Sequence, residues 1–530
     1  MRRWVLLALF AGCGRVDFDR VPETACPEGG CVVTTAWSLA AGSTAVDFGF
    51  ALALDEARQR VYVTGLYAGS TVDYGAGPLT GMGFHDIPLV ALELDGAVAW
   101  STGVGGAGFD EGFGVAVAAD GSIEVAGRAG SPITIGGVDL GAGAFADVVS
   151  YRVERDGSVR PGSARLVGGP GDDFGRVVAL DDDGNVYVAG HFTDTVDLGQ
   201  GPVTAADAES SDAFIVSYAP GGAVRWVQAF GGVGLDEIEG LGVDDARGQL
   251  VASGSLSGTI DLGLGPLASA GDDDALVLAV DLATGAPRWQ LAFGGGDHDG
   301  ANGLALGADG EAYVTGYFTG TVEVAGEVFV ADGDQDVLLV RVDADGSPRW
   351  GRRFGGPGRD RAIRIATGAR GEVVAVGTFT DTAGWADARL SSAGADDGFA
   401  IALDGDGTPR WARGFGGPGI DELQAVAIDA DGSLYITGAF EQTVDVGAGP
   451  HTSAGDLDTL IFRLDVRYAS LTARAAHGPS RRWQSTTRGS AVTSAAPKMA
   501  RARASSSMAS DTWAWATRQR SWRSNTSVTR

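Results

Sequence analysis

The sequence predicts an all-β protein: a β-propeller of seven four-stranded blades, closed by an N-terminal strand. Three observations carry this. A signature recurs every 61 or 63 residues, the apolar period within each unit is two rather than 3.6, and the two ends of the array complete one another. The signature is a Phe-Gly-Gly-type motif with glycines at Gly105, Gly168, Gly231, Gly294, Gly355 and Gly416, and a degenerate first copy at Gly42. Five residues before these glycines stand Trp37, Trp100, Trp226, Trp289, Trp350 and Trp411, with Ser163 breaking the series. Five residues after them stand Asp47, Asp110, Asp173, Asp236, Asp299, Asp360 and Asp421, seven of seven.

The N-terminus reads as an address. Met1-Arg2-Arg3 is basic, Trp4 to Phe10 is a short apolar run, and Ala11-Gly12 precede Cys13. That is the layout of a secretory signal, expected over residues 1–12. It resembles the bacterial lipoprotein signal, which implies lipidation of Cys13 as the mature N-terminus; Phe10 departs from the leucine usual there. No other stretch approaches the roughly 20 apolar residues that span a bilayer, so the lipid is the expected membrane anchor. Residues 13–31 form a polar tether. Export into an oxidising compartment makes Cys26 and Cys31 a small disulfide loop at its end.

Residues 32–465 are the array. In the last copy, Ala425–Asp429 and Leu434–Gly438 are strands joined by a tight turn, Ala430-Asp-Gly-Ser433. A Gly/Pro-containing arm, Thr443–Pro450, leads to a third strand, Thr459–Leu464. In earlier copies a further Asp-Gly turn leads to a Trp-bearing fourth strand, as in Asp404–Trp411. Asp-Gly between apolar runs is a strong hairpin signal because glycine adopts the positive φ the turn requires. The last copy lacks its Trp strand, while Val32–Ala40 carries Trp37 ahead of the first full unit. Pairing the two closes the ring and removes the edges that a β-solenoid, the alternative, would have to cap.

Composition agrees. Of 530 residues 85 are glycine, about one in six against roughly 7% on average, and 44% are hydrophobic, enough for a large core. A net charge of −29 argues against a nucleic-acid binder. The tail, 466–530, reverses the sign with 12 Lys and Arg against one acid, Asp511. The repeat fades there after Ala476–Pro479. A shifted reading of the codons for Trp483–Gly489 permits Ala-Val-Asp-Asp-Ala-Gly, another repeat start, so a frameshift near residue 480 is expected and the parent protein would carry at least one more unit.

The units resemble the β-propeller repeats of bacterial exported proteins, the SBBP type. The resemblance rests on Phe293–Asp299, Tyr313-Val-Thr-Gly316 and Asp345-Gly-Ser-Pro-Arg-Trp350, and covers residues 32–465. Val280–Trp289 is more faintly similar to the repeats of quinoprotein propellers. Both likenesses imply a fold, which by itself assigns no function.

For chemistry, the Asp-Gly hairpins fall on one face, and the Gly-Gly links and long arms on the other, which is the expected binding face. The seven aspartates from Asp47 to Asp421 have two readings: acceptors that fix the blade-to-blade turn, or a ring at the channel mouth binding a divalent cation such as calcium. Asp181–Asn185 and Gly271–Asp274 lack EF-hand spacing. The histidines His85, His191, His298, His451 and His477 form no pair at metal-ligand spacing, and no nucleophile elbow or phosphate loop occurs. The tryptophans read as blade packing. The blades read as uniform, and from this the chain is expected to be non-catalytic and without a cofactor: a monomeric binding or scaffold protein of the cell envelope with a protein or glycan partner. The alternative is a propeller enzyme, a hydrolase, a lyase or a quinoprotein-like oxidoreductase, with its site at the channel mouth.

Overall fold

The structure, a computed structural model, describes residues 31–468 except 70, 131, 142–144, 208–209 and 387. The chain divides into two units, Met1–Ala469 and Ser470–Arg530. Cys13, Cys26 and the tail beyond 468 lie outside the described residues; Cys31 is disulfide-bonded.

The described residues form seven antiparallel four-stranded sheets. Blade 1 runs through Asp47–Asp55, Arg60–Ala68, His85–Glu93 and Val98–Val104, innermost strand first. Blades 2 to 6 repeat this order, with innermost strands Asp110–Val117, Asp173–Leu180, Glu237–Asp244, Gly300–Leu306 and Asp360–Thr367. Blade 7 is composite. Its inner strands Asp421–Ile428, Leu434–Asp445 and Pro450–Tyr468 are completed by the N-terminal strand Cys31–Ala41. Cys31 pairs with Tyr468 and Ala41 with Thr459, so the ring closes as the missing Trp strand requires, extending one residue beyond Val32–Ala40 at each end.

The arms between second and third strands are ribbons. Five are separate two-stranded sheets, such as Thr71–Asp73 with Pro78–Thr80; in blades 4 and 7 they continue the blade strands. In four of the seven the tip is fixed by one aspartate. Asp73, Asp197, Asp261 and Asp445 accept from the amides two and four residues on, at 2.7–3.2 Å.

The core is layered between blades, because each sheet is apolar on both faces. One cluster joins Tyr62, Ile87 and Leu89 of blade 1 to Ile123, Val125 and Val149 of blade 2, and equivalents recur round the ring. The tryptophans staple these layers. Trp37, Trp100, Trp226, Trp289 and Trp350 each donate Nε1–H to a backbone carbonyl near the outer hairpin of the next blade, at 2.9–3.3 Å. The ring of Trp226 lies against Gly285, and that of Trp289 against Gly346. Where Ser163 replaces tryptophan, the outer strand shrinks to Arg165–Val167.

Trp226 is 5% exposed. Trp226→Ala is expected to cost about 3–5 kcal/mol, the usual range for emptying a large aromatic site, read as a lowered denaturant midpoint. A change within about 0.5 kcal/mol, the scale of a neutral surface substitution, would show that the tryptophans do not hold the blades together.

Candidate functional site at the propeller axis

The seven aspartates sit at the blade junctions and are buried, none more than 3% exposed. Each accepts a hydrogen bond from the amide four residues earlier: Ser43, Gly106, Gly169, Gly232, Gly295, Gly356 and Gly417, at 2.5–2.8 Å. The other oxygen of Asp110, Asp173, Asp236 and Asp299 takes an amide at the end of the second strand, 2.8–3.3 Å away. The carboxyls are aimed at N–H donors and tie two connections together.

A second ring of aspartates went unread in the sequence. Asp86, Asp147, Asp212, Asp274, Asp336, Asp397 and Asp458 open the third strands, 61 to 65 residues apart, and all are buried. Their carboxyls fill the space that a Cβ on the first junction glycine would need: Asp86 against Gly105, Asp147 against Gly168, Asp212 against Gly231, and so on round to Asp458 against Gly42. That close approach explains the first glycine of every pair.

Each junction thus buries two neighbouring carboxyls. Burial first, and then the partner aspartate, push Asp173, Asp236, Asp299, Asp360 and Asp421 up to about 7, against the pull of the amides. Asp47 rises to about 7, and Asp110, Asp336 and Asp397 to about 6. Oδ1 of Asp47, Asp360 and Asp421 has no hydrogen-bond partner, as suits a protonated acid better than a carboxylate. Among the described residues no three His, Cys, Asp or Glu side chains converge to hold a metal.

Uniformity fails at the axis. Each inner strand carries a β-bulge just past its junction aspartate, as between Gly175 and Val177 and between Ile238 and Gly240. At the bulge the second-strand glycine (Gly65 and Gly190, for example) lies against the carbonyl of the residue after the aspartate, where a Cβ has no room. A bulge re-aims side chains, and here it directs the positions one and three after the aspartate to the axis. In chain order the first of these is Phe48, Glu111, Phe174, Glu237, Gly300, Arg361 and Glu422; the second is Phe50, Phe113, Arg176, Glu239, Asn302, Ile363 and Gln424. No repeat consensus survives.

The axis has an apolar arc and a polar one. Phe48, Phe50 and Phe113 cluster, with ring centroids 4.8 and 5.3 Å apart. Beside them, Arg176 lies over Phe113 and Phe174, 3.4 Å from Glu239 and 3.9 Å from Glu237. Arg364 of blade 6 reaches past blade 5 to Glu239 of blade 4, 3.8 Å away, and donates to the Asn302 carbonyl. His191 stacks on Phe174, 3.5 Å from Glu237. Arg361 covers Tyr317 at 4.3 Å. The side chains of Arg176 and Arg364 are 26% and 23% exposed, so solvent reaches the arc.

Titration divides the acids. Burial would raise Glu111, but Arg128 at 2.9 Å and His85 at 2.7 Å outweigh it and hold the carboxyl at about 2. Burial and Glu239 push Glu237 up to about 7. Burial, Arg176 and Arg128 hold His191 well below the usual histidine range.

A separate cavity of about 420 Å³ opens among Arg58, Arg60, Tyr62, Glu93, Arg155 and Asp156, on the hairpin side. Two of its three arginines are already engaged: Arg58 by Asp55 and Arg60 by Glu93, both at 3.1 Å.

Two measurements test the junctions. Native carboxyls raised to 6–7 keep protons that unfolded carboxyls lose near pH 4, so their stabilisation is complete below that pH and fades as pH rises through 7. Thermal melts are expected to show a higher Tm at pH 5 than at pH 8; the reverse order would show the junctions ionised. Gly105→Ala is expected to cost about 1–3 kcal/mol by overpacking, and adding Asp86→Ala should recover part of it. Additive losses would place the two residues out of contact.

The model of the SBBP beta-propeller repeat matches residues 164–191. The chain is 28% identical over 157 residues to the regulatory protein FlaEY of Caulobacter vibrioides, a match spanning 28% of this chain and 16% of that protein. Among solved structures it is similar to the quinohemoprotein alcohol dehydrogenase ADHIIG of Pseudomonas putida HK5, at 12% identity and TM-score 0.39, over 85% of this chain and 78% of that one. It is also similar to a europium-containing methanol dehydrogenase (13%, 0.38, covering 82% and 93%) and to BamB of Moraxella catarrhalis (13%, 0.36, covering 84% and 100%). At TM-scores below 0.5 these likenesses carry no residue role to this chain. The expectation of a non-catalytic protein is nonetheless corrected, because the uniformity on which it rested does not hold at the axis; the dehydrogenases are similar in fold alone. The chain is a seven-bladed β-propeller in which residues 164–191 match the SBBP beta-propeller repeat.

Proposed function

We propose that the chain is an exported, lipid-anchored β-propeller that binds its ligand, a protein or glycan of the cell envelope, at the axial polar arc just inside the loop-rich face. One contrast carries the reading. Junction aspartates, turn glycines and staple tryptophans repeat, whereas the residues that line the axis differ from blade to blade. A scaffold needs the repetition; only a site needs the departures. The address is supported by the basic start, the short apolar run and Ala11-Gly12-Cys13. The closing strand begins at Cys31 beside Tyr468, the hairpin-side end of its neighbour, so a tether entering there leaves the loop-rich face free.

A second reading, catalysis within the same arc, has one observation in its favour. Glu237, with its carboxyl near 7 beside Glu239, is poised for proton transfer at neutral pH.

Cys13→Ser is expected to abolish palmitate labelling and move the protein from the membrane fraction to the soluble one; retained labelling would remove the anchor from the proposal. Native mass spectrometry of the full chain, isolated from envelope extract, is expected to show a co-purifying mass that Arg176→Met loses. A bound mass indifferent to that substitution would place the site elsewhere.

A further inference from the structure

We propose that the axial arc is built for a neutral saccharide; the inference rests on the reading of the axis as the binding site. Three observations converge on that class.

The first is charge balance. In a chain of net charge −29, the arc sets Arg176, Arg361 and Arg364 against Glu237, Glu239 and Glu422. An anion seated beside Arg176 would also face both glutamates, and a cation beside Glu239 would face two arginines. Neither sign is selected.

The second is unused hydrogen-bonding capacity. The contacts of Arg176 with Glu237 and of Arg364 with Glu239, at 3.9 and 3.8 Å, are too long for hydrogen bonds. Arg176 Nε, Arg361 Nε and His191 Nδ1 are buried atoms with no hydrogen-bond partner, although Glu239 stands 3.4 Å from the first and Glu237 3.5 Å from the last. A hydroxyl both accepts and donates, so one placed between a guanidinium and a carboxylate satisfies both. A carboxylate or an ammonium ligand would satisfy only one of them.

The third is the division of the axis. Phe48, Phe50 and Phe113 pack together beside the polar arc, Phe113 directly under Arg176, and Phe50 and Phe113 keep 9% and 6% of their surface open. A pyranose has the same division, with C–H groups across its ring faces and hydroxyls round its rim. Water could bridge the polar contacts but gives no account of the aromatic cluster.

The test is titration calorimetry on the full chain with cellobiose and N,N′-diacetylchitobiose as neutral probes, digalacturonate and chitosan dimer as charged ones, and trialanine as a peptide control. Variants Arg176→Met and Glu239→Gln probe the arc, and Arg58→Met the opposite face. At least one neutral disaccharide is expected to bind, with affinity falling about tenfold in each arc variant, as for loss of a hydrogen bond to a charged group, and unchanged in Arg58→Met. Thermal melts check folding; should Arg176→Met melt early, the isosteric Glu239→Gln decides. Binding of only a charged saccharide or of trialanine, lost in the arc variants, overturns the neutral-saccharide class and leaves the axis as the site. Neutral binding untouched by both arc variants refutes the axis itself. No binding of any neutral probe overturns the inference, and the co-purification experiment then judges the axis separately.

Discussion

Seven pairs of buried carboxyls, six seated on a glycine pair and the seventh on Gly42-Ser43, are the constraint on which the ring depends. At every junction one aspartate gathers the amides of the link, and another occupies the room left by the absent glycine side chain. No cation answers most of these acids, so burial holds them toward the neutral form. A neutral acid can be packed against backbone without the large cost of a buried charge. The junction is therefore compact, and compactness lets neighbouring sheets meet along their inner strands.

From the junction outward the structure divides its labour. Periodic residues set the geometry: tryptophans clip the outer strands to the next blade, and ribbon-tip aspartates square off the arms. The bulge beyond each junction then offers two axial positions per blade at no cost to the packing behind them. Such positions can diverge freely, because their neighbours are each other and solvent. The mixture of phenylalanine, arginine and glutamate there is what that freedom permits.

Much of this was legible in the sequence. The composite last blade followed from Trp37 standing ahead of the first unit and its absence after Asp465, because an unpaired strand at each end has one economical solution. The hairpins followed from Asp-Gly. The partner aspartates such as Asp86 and Asp274 are equally periodic, but they stand 19 and 20 residues ahead of Gly105 and Gly294, in the third strand and outside the glycine motif. The axial arc was hidden for a deeper reason. Arg176, Glu239 and Arg364 lie 63 and 125 residues apart and share no motif. Only the folded ring shows that they face one another: Arg176 and Glu239 stand three residues past their junction aspartates, and Arg364 stands four past its own.

The closing strand has a further consequence, for the order of events during synthesis. Cys31–Ala41 is made before any blade, yet its partner Pro450–Tyr468 belongs to the last. Throughout elongation the earliest strand has no partner, and the inner edge of blade 1 awaits a neighbour more than 370 residues away. Contacts so distant in sequence form slowly, and open strand edges invite mispairing meanwhile. A chain built this way gains from anything that keeps its first strand unpaired until its last has been made.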